Sequence, residues 1–322
     1  MNLKKIFQAF PAPKFLDIPY SGVLISDAYI RCVSFNKKNG VLHLEKYTER
    51  AIPTGVVVDG QINNIEELVR ILSEIKKDLN LRVVKMSLPE EKAYLFTAKI
   101  PMVSNDEIRS AIESKMEENV PVSPSELTFD YKLFERPERD LIDVVVSALP
   151  INIIDSYVEI AEKSGVSLIS LEIESQAVTR AVVPVNTTGT SLVINFSKDK
   201  VGLYVSTSRV VRFTSTIQTR GEFSNNPAFL MQEIKRLYTY WHTLKENVDK
   251  PDKQISQIYI CGEGFDDAMV SFISSHSKTP TSLANVWLNA FDINKNIPEI
   301  SFNDSLKYAG AIGLAIPSKI LI

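Results

Sequence analysis

The sequence predicts an α/β protein built from two similar halves, and three observations carry that reading. Residues 20–48 run as strand, tight turn, strand, turn, strand. After TTGT at 187–190 the same string recurs as SLVINFS, VGLYVS and VVRFTSTI, joined by SKDK and STSR. One supersecondary string occurring twice marks a duplicated architecture. Between them, residues 94–172 read β-α-β-β-α-β, which suits a small α+β subdomain inserted into the first half. The predicted layout is an arm over 1–17, a first half over 18–186 and a second half over 187–322.

Each element follows from local pattern. GVLISDAYIRCV at 22–33 alternates like two strands, with the polar Ser26-Asp27 as their turn. VLHLEKYT pairs back across KKNG, and Asp59-Gly60 marks a tight turn. Asn64 with Glu67 forms a capping box for a helix over 64–79, whose Ile65, Leu68, Val69, Leu72, Ile75 and Leu79 share one face. LRVVKMSLP is a strand stopped by Pro89. YLFTAKI follows as a strand. Ser104 with Glu107 caps a helix through about Glu118, with Ile108, Ala111, Ile112 and Met116 inward, and the prolines of ENVPVSP end it.

LTFDYKLFE and LIDVVVSALP are two strands about the charged turn RPERD. A helix over 151–163 ends at Gly165, and VSLISLEI and ESQAVTRAV read as strand and short helix. In the second half a helix over 227–246 places Leu230, Ile234, Leu237, Trp241 and Leu244 on one face. QISQIYICGEGFDDAMVSFISS reads as strand, glycine turn and helix, and SLKYAGAIGLAI as a helix with small residues on one side.

Composition narrows the function. A net charge of −3 gives no basic field for nucleic acid. Cys32 and Cys261 stand far apart in apolar runs, which is neither a disulfide framework nor zinc spacing. His43, His242 and His276 do not cluster, so no metal ligand set is predicted. No apolar run is long enough to span a bilayer. No signal peptide is read at the N-terminus, where Leu3, Ile6, Phe7 and Phe10 share a helical face suited to packing on the domain or touching a membrane surface. The chain has 12 glycines in 322 residues, about half the usual frequency of roughly 7%. Few are therefore free to cradle a phosphate.

Several segments together resemble one family. ENVPV followed by PSELTFDYKLFE, then VSALPINIIDSYVEIAEKSGVSLISLEIESQAVTRAV, GVVVDGQI and ISFNDSLKYAGAIGLAI are similar to the type IV pilus assembly protein PilM, a relative of the cell-division protein FtsA. The resemblance runs over most of 18–316. It implies an actin-like, ribonuclease H-like duplicated fold with the inserted subdomain, and a cytoplasmic scaffold peripheral to the inner membrane. It implies ATP between the halves. It further implies that the cytoplasmic N-terminal peptide of the membrane protein PilN lies between the first domain and the insertion, lined by Tyr94, Phe96, Ile108 and Ile112. Other pilus components would be further partners, and membrane contact would be indirect.

The nucleotide motifs depart from the family pattern. In the first phosphate loop Leu24 stands for an Asp that organises metal, and Tyr29 for a Ser, while Ser26, Asp27 and Arg31 remain compatible. In the second loop Asn195 replaces an acid and Ser197 a glycine, with Lys198 beside it. The later glycine turn is Arg220-Gly221-Glu222. Gly262, Glu263 and Gly264 fit the nucleoside turn. The second half's own subdomain is reduced, over about 221–254. A pseudo-ATPase is expected: no cofactor, or weakly bound ATP/Mg²⁺, and no hydrolysis. The alternative is an active actin-like ATPase in pilus assembly or cell division. A sugar kinase is disfavoured, since Asn195 stands near where its catalytic acid is needed.

Overall fold

In a computed structural model the protein is described over residues 19–38, 40–134, 140–219 and 227–317. The arm expected over 1–17 lies outside the described residues. The strands are β1 Ser21–Ile25, β2 Tyr29–Lys38, β3 Val41–Ala51, β4 Val57–Val58, β5 Gln61–Ile62, β6 Val83–Leu88, β7 Tyr94–Pro101 and β8 Leu127–Phe134. They continue as β9 Leu141–Pro150, β10 Ser167–Ile173, β11 Thr190–Phe196, β12 Lys200–Thr207, β13 Val210–Gln218, β14 Ile255–Gly262 and β15 Thr281–Leu283. The helices are α1 Ile65–Leu79, α2 Asn105–Asn119, α3 Ile151–Ser164, α4 Glu174–Val182, α5 Pro227–Thr243, α6 Asp267–Ser277, α7 Phe302–Ser305 and α8 Ala309–Ala315.

The duplication is visible in the sheets. One orders its strands β3-β2-β1-β6-β10 and the other β13-β12-β11-β14-β15. In each, three strands form an antiparallel meander and two more add in parallel. The strands β1, β11 and β12 are wholly buried, because both faces of each sheet are covered.

The helices lock the halves together. The chain leaves β10 of the first sheet into α4, which packs on β11, β12 and β13 of the second. It returns near its end through α8, which packs on β1, β2 and β6 of the first. The two helices cross in direct contact. A methyl group at Gly313 would lie 1.8 Å from the carbonyl oxygen of Ala177. Leu24, Val33 and Phe35 from the first sheet share one apolar core with Val193, Tyr204, Cys261, Trp287 and Ile312.

Two local expectations are refined. Asn64 caps α1 by accepting from the Glu67 N–H at 3.1 Å, but the Glu67 carboxylate turns to Arg70 instead of closing a box. At α2, Glu107 does reach back, to the Ser104 N–H at 3.1 Å. The Asp59-Gly60 turn has positive φ at both residues, 49° and 72°, as a tight hairpin requires.

The insertion is smaller than the β-α-β-β-α-β reading over 94–172. Its sheet holds β7-β9-β8 only, with α2 packed beneath. Strand β10 instead pairs in parallel with β6, joining the first half's sheet, and α3 packs on α1. Leu168, Leu171 and Ile173 find the first half's core, which the short insertion core could not offer them.

Candidate functional site

The floor between the halves is built where the two meanders face each other. Their first turns are bonded alike. Ser26 N–H and Oγ both donate to the Tyr29 carbonyl, at 3.0 and 3.1 Å. Ser197 N–H and Oγ both donate to the Lys200 carbonyl, at 2.9 and 3.0 Å. Each serine thus closes its own turn. The Tyr29 N–H is also consumed, by Ser26 Oγ at 3.1 Å.

Asp27 is partly buried, and its charge helps to hold Lys200 protonated across the cleft. Its carboxylate accepts from the Asp59 N–H at 2.7 Å and the Gly60 N–H at 3.1 Å, fixing the β4–β5 turn. Lys198 is exposed. Leu24 is buried and would collide with any side chain at Gly310, so it is part of the shared core. The Tyr29 ring lies 4.8 Å from the Arg31 guanidinium, which it covers.

Two ion pairs with buried cations cross from one half to the other. Arg31 on β2, only 3% exposed, pairs with Glu263 beyond β14. Its Nε meets Glu49 at 2.6 Å, and a third nitrogen donates to the Lys307 carbonyl at 3.1 Å. Lys307 in turn holds Glu49 at 3.1 Å. Burial alone would depress the Arg31 pKa, but Glu263 and Glu49 outweigh it and hold the guanidinium charged.

The second pair joins Lys200 on β12 to Glu91, just after β6. Glu174 at the start of α4 lies 4.0 Å from the same ammonium and accepts from Asn195 Nδ2 at 3.0 Å. Lys200 is buried, which would lower its pKa, yet Glu174 and Glu91 raise it above the ordinary lysine value. Beside them Glu90 accepts from the Ser175 N–H at 3.0 Å, and burial pushes its carboxyl up to about 7. Among the described residues no three His, Cys, Asp or Glu side chains converge as a metal ligand set.

The glycine turn after β14 has a steric cause. A side chain at Gly262, where φ is +98°, would lie 1.9 Å from the Phe196 carbonyl, and Glu263 N–H donates to that same oxygen at 3.0 Å. Gly264 has φ +81° with open space around it. Gly221 lies outside the described residues. Ser26, Arg31, Asn195, Ser197, Gly262 and Glu263 therefore gather about one floor, which Asp27 borders while bonding the β4–β5 turn, whereas Lys198 is exposed. Reading by motif missed Glu49, Glu90, Glu91, Glu174, Lys200 and Lys307. Position could have found two of them, since Glu90-Glu91 sits at the carboxyl end of a central parallel strand, where α/β sheets place their sites.

A second feature is a groove of about 610 Å³ between the insertion and the first half, also bordered by Val210 and Val211 of the second half. It is lined by Thr128, Tyr131 and Leu149 on one side and Leu171, Ile173 and Gln176 on the other. Each flank is a sheet edge, β8 of the insertion and β10 of the first half. Tyr94, Phe96, Ile108 and Ile112 do not border this groove, although Leu95 between the first two does. Ile108 and Ile112 are 3% and 0% exposed, in the insertion's own core, and Tyr94 packs against it. Phe96 borders a different groove of about 560 Å³, which faces Tyr240 and Leu244 of the second half. An apolar helical face reports that a core exists, not which side of it a ligand approaches.

Comparison with known proteins decides the family. The model of the type IV pilus assembly protein PilM family matches residues 22–220. The chain belongs to that family. No curated protein matches the sequence directly. Among solved structures, a PilM–PilN type IV pilus biogenesis complex is similar at TM-score 0.77 and 16% identity, covering 92% of this chain and 98% of that one. The cytoplasmic domain of EpsL, an inner-membrane component of the Vibrio cholerae type II secretion system, gives TM-score 0.50 at 11% identity over 91% and 94%. The ethanolamine utilization protein EutJ of Carboxydothermus hydrogenoformans gives 0.51 at 11% over 93% and 89%. The fold is thus actin-like α/β, as the PilM resemblance implied. Among the described residues no helix is long and apolar enough to cross a membrane.

Proposed function

We propose that this PilM family member is a cytoplasmic scaffold at the inner face of the membrane. It would hold the cytoplasmic N-terminal peptide of a PilN-like membrane protein in the groove between insertion and first half. The groove carries this reading. Its two flanks are strands with one sheet neighbour each, and the insertion side presents Thr128, Asp130 and Lys132 of β8 beside Leu149, Ser147 and Val145 of β9. An extended peptide can add main-chain hydrogen bonds to such an edge and seat alternate side chains between the walls. The solved PilM–PilN complex, similar over nearly the whole chain, supports PilN as the partner class.

The nucleotide site is read as lapsed. Arg31, Lys200, Glu174 and Asn195 are each at least nine-tenths buried and engaged with one another's neighbours, so a triphosphate would have to displace two ion pairs. Both turn serines are self-bonded, and the first-loop acid is a core leucine. These residues do not fit ATP-Mg²⁺, and hydrolysis is not expected. The active-ATPase alternative lacks an acid free to organise a metal at Leu24 or Asn195.

Titrating purified protein with the N-terminal peptide of a neighbouring PilN-like protein tests the scaffold. Micromolar saturation is expected, and absence of binding would overturn it. A parallel titration with ATP-Mg²⁺ is expected to give none or only weak binding.

A further inference from the structure

Where the second half borders the groove, three parts of the chain meet and their side chains are basic. Lys132 comes from β8 of the insertion and Arg180 from α4, and both line the groove. Arg209 and Arg212 flank Val210 and Val211, which line it from the second half. Two of these cations share one ring. The Arg212 guanidinium lies 3.8 Å and the Lys132 ammonium 5.9 Å from the centroid of Phe134, so the insertion is tied to the second half at this corner. Arg209 is placed by its backbone. Ser208 and Arg209 make the two-residue turn between β12 and β13 with positive φ at both, 51° and 64°. Such turns favour Asn and Gly, so an arginine there carries a conformational cost. The turn is held on α4, where Gln176 Nε2 donates to the Arg209 carbonyl at 3.1 Å and Arg209 Nη2 to the Arg180 carbonyl at 3.0 Å. The Arg209 Nε is buried with no hydrogen-bond partner among the described residues.

The acids nearby do not offset this corner. Glu172 is taken by Arg180. Asp130 stands two residues before Lys132 on the groove wall, and Asp143 borders the other groove together with Arg212. The remaining charges that line the groove, Lys85 and Glu90, are one of each sign. Lys132 is left in a field of its own sign: desolvation and the positive charges of Arg212, Arg209 and Arg180 all lower its pKa. Burial and Arg180 likewise lower that of Arg209. We propose that Lys132, Arg180, Arg209 and Arg212 form a carboxylate site, which takes an Asp or Glu side chain of an extended peptide laid along the groove. A guanidinium presents a planar fork of donors that matches a carboxylate, and a ligand acid at this corner relieves the repulsion among the four cations.

The corner rests on the reading of the groove as a peptide site, and adds which side chain the peptide carries and at which end it lies. It also makes the second half a party to recognition by the insertion and the first half. The test titrates the full chain by calorimetry with two probes. One is the N-terminal peptide of a neighbouring PilN-like protein, and the other is the same peptide with every Asp and Glu changed to Asn and Gln, both amidated at the C-terminus. Wild type is expected to bind the acidic peptide at least tenfold more tightly than the neutral one, with a preference that falls as salt rises. In Lys132→Gln/Arg209→Gln the preference is expected to shrink below about twofold, a loss of charge reading that leaves the neutral peptide's affinity in place.

Should the double variant fail to fold, Lys132→Glu alone, at an exposed position of an edge strand, carries the proposal: it is expected to invert the preference, so that the neutral peptide binds more tightly than the acidic one. Equal binding of the two peptides by wild type, or micromolar binding of a natural peptide that has no acid, overturns the carboxylate site while leaving the groove standing. A preference unchanged by Lys132→Glu overturns it as well, because the acid is then read elsewhere. Binding of neither peptide overturns both the groove and its corner.

Discussion

Arg31 and Glu263 meet across the two halves although 232 residues separate them in the chain. The contact is buried on the arginine side and partly open on the glutamate side, with side-chain exposures of 4% and 24%. Arg31→Met should therefore be costly, because it takes the arginine from Glu263 and leaves Glu49 with Lys307 alone. A loss of about 3 kcal/mol is expected. Arg31→Met/Glu263→Met should lose less than the sum of its single changes. Urea unfolding of the four proteins would give the coupling directly, and a coupling near zero would contradict the bridge.

Glu90 gives the fold a pH dependence of definite sign. Its carboxyl titrates near 7 in the folded protein, raised by burial, against an ordinary value of 4.5. Below about 4.5 it is protonated in both states and contributes nothing. Between about 4.5 and 7 the unfolded chain loses the proton first, so stability falls as pH rises, by at most about 1.4 kcal/mol per unit. Above about 7 the full penalty is present. Glu90→Gln, which keeps an acceptor for Ser175, should melt higher than wild type at pH 8 and equal to it near pH 4. Equal melting at both would refute the assignment.

Gly313→Ala should be among the most damaging of conservative changes. The added methyl meets the backbone of Ala177, which cannot move aside as a flexible side chain would. Overpacking of this kind costs about 1–3 kcal/mol. Gly189→Ala, whose methyl would find Ser256 Oγ at an ordinary 3.6 Å, serves as the control and should be nearly silent. Thermal melts of the two variants beside wild type check the contrast.

The groove and the insertion core should separate in mutation. Thr128 is exposed on the groove wall, so Thr128→Trp should cut peptide affinity more than tenfold and leave the melting temperature unchanged. Ile112→Ala empties a fully buried site and should cost about 2–5 kcal/mol. If Thr128→Trp binds peptide like wild type, the peptide lies elsewhere.

Much of the fold was legible in local pattern, because period and punctuation determine elements. The helix ESQAVTRAV, the Gly165 cap and both meanders stand where alternation and turn chemistry put them. The extent of the insertion was not legible. The string β-α-β-β-α-β reads the same whether its last strand closes its own sheet or joins another, and only the pairing of β10 with β6 decides. The cleft was half legible. Leu24 and Tyr29 declare themselves as the wrong chemistry for a phosphate loop. Lys200 and Glu49 carry no local signal, because an ion pair across distant segments leaves no mark on either one.

The exchange of α4 and α8 between the sheets bears on biosynthesis. The first sheet's covering helix is encoded at 309–315, after every strand of the second half's sheet. Until it emerges, β1 and β2 display an uncovered apolar face, and the chain that made them must wait through the whole second half. Neither half is therefore an autonomous folding unit. A nascent chain stalled near residue 300 should remain protease-sensitive and bound to chaperones, and a fragment of residues 1–186 should not yield a soluble domain.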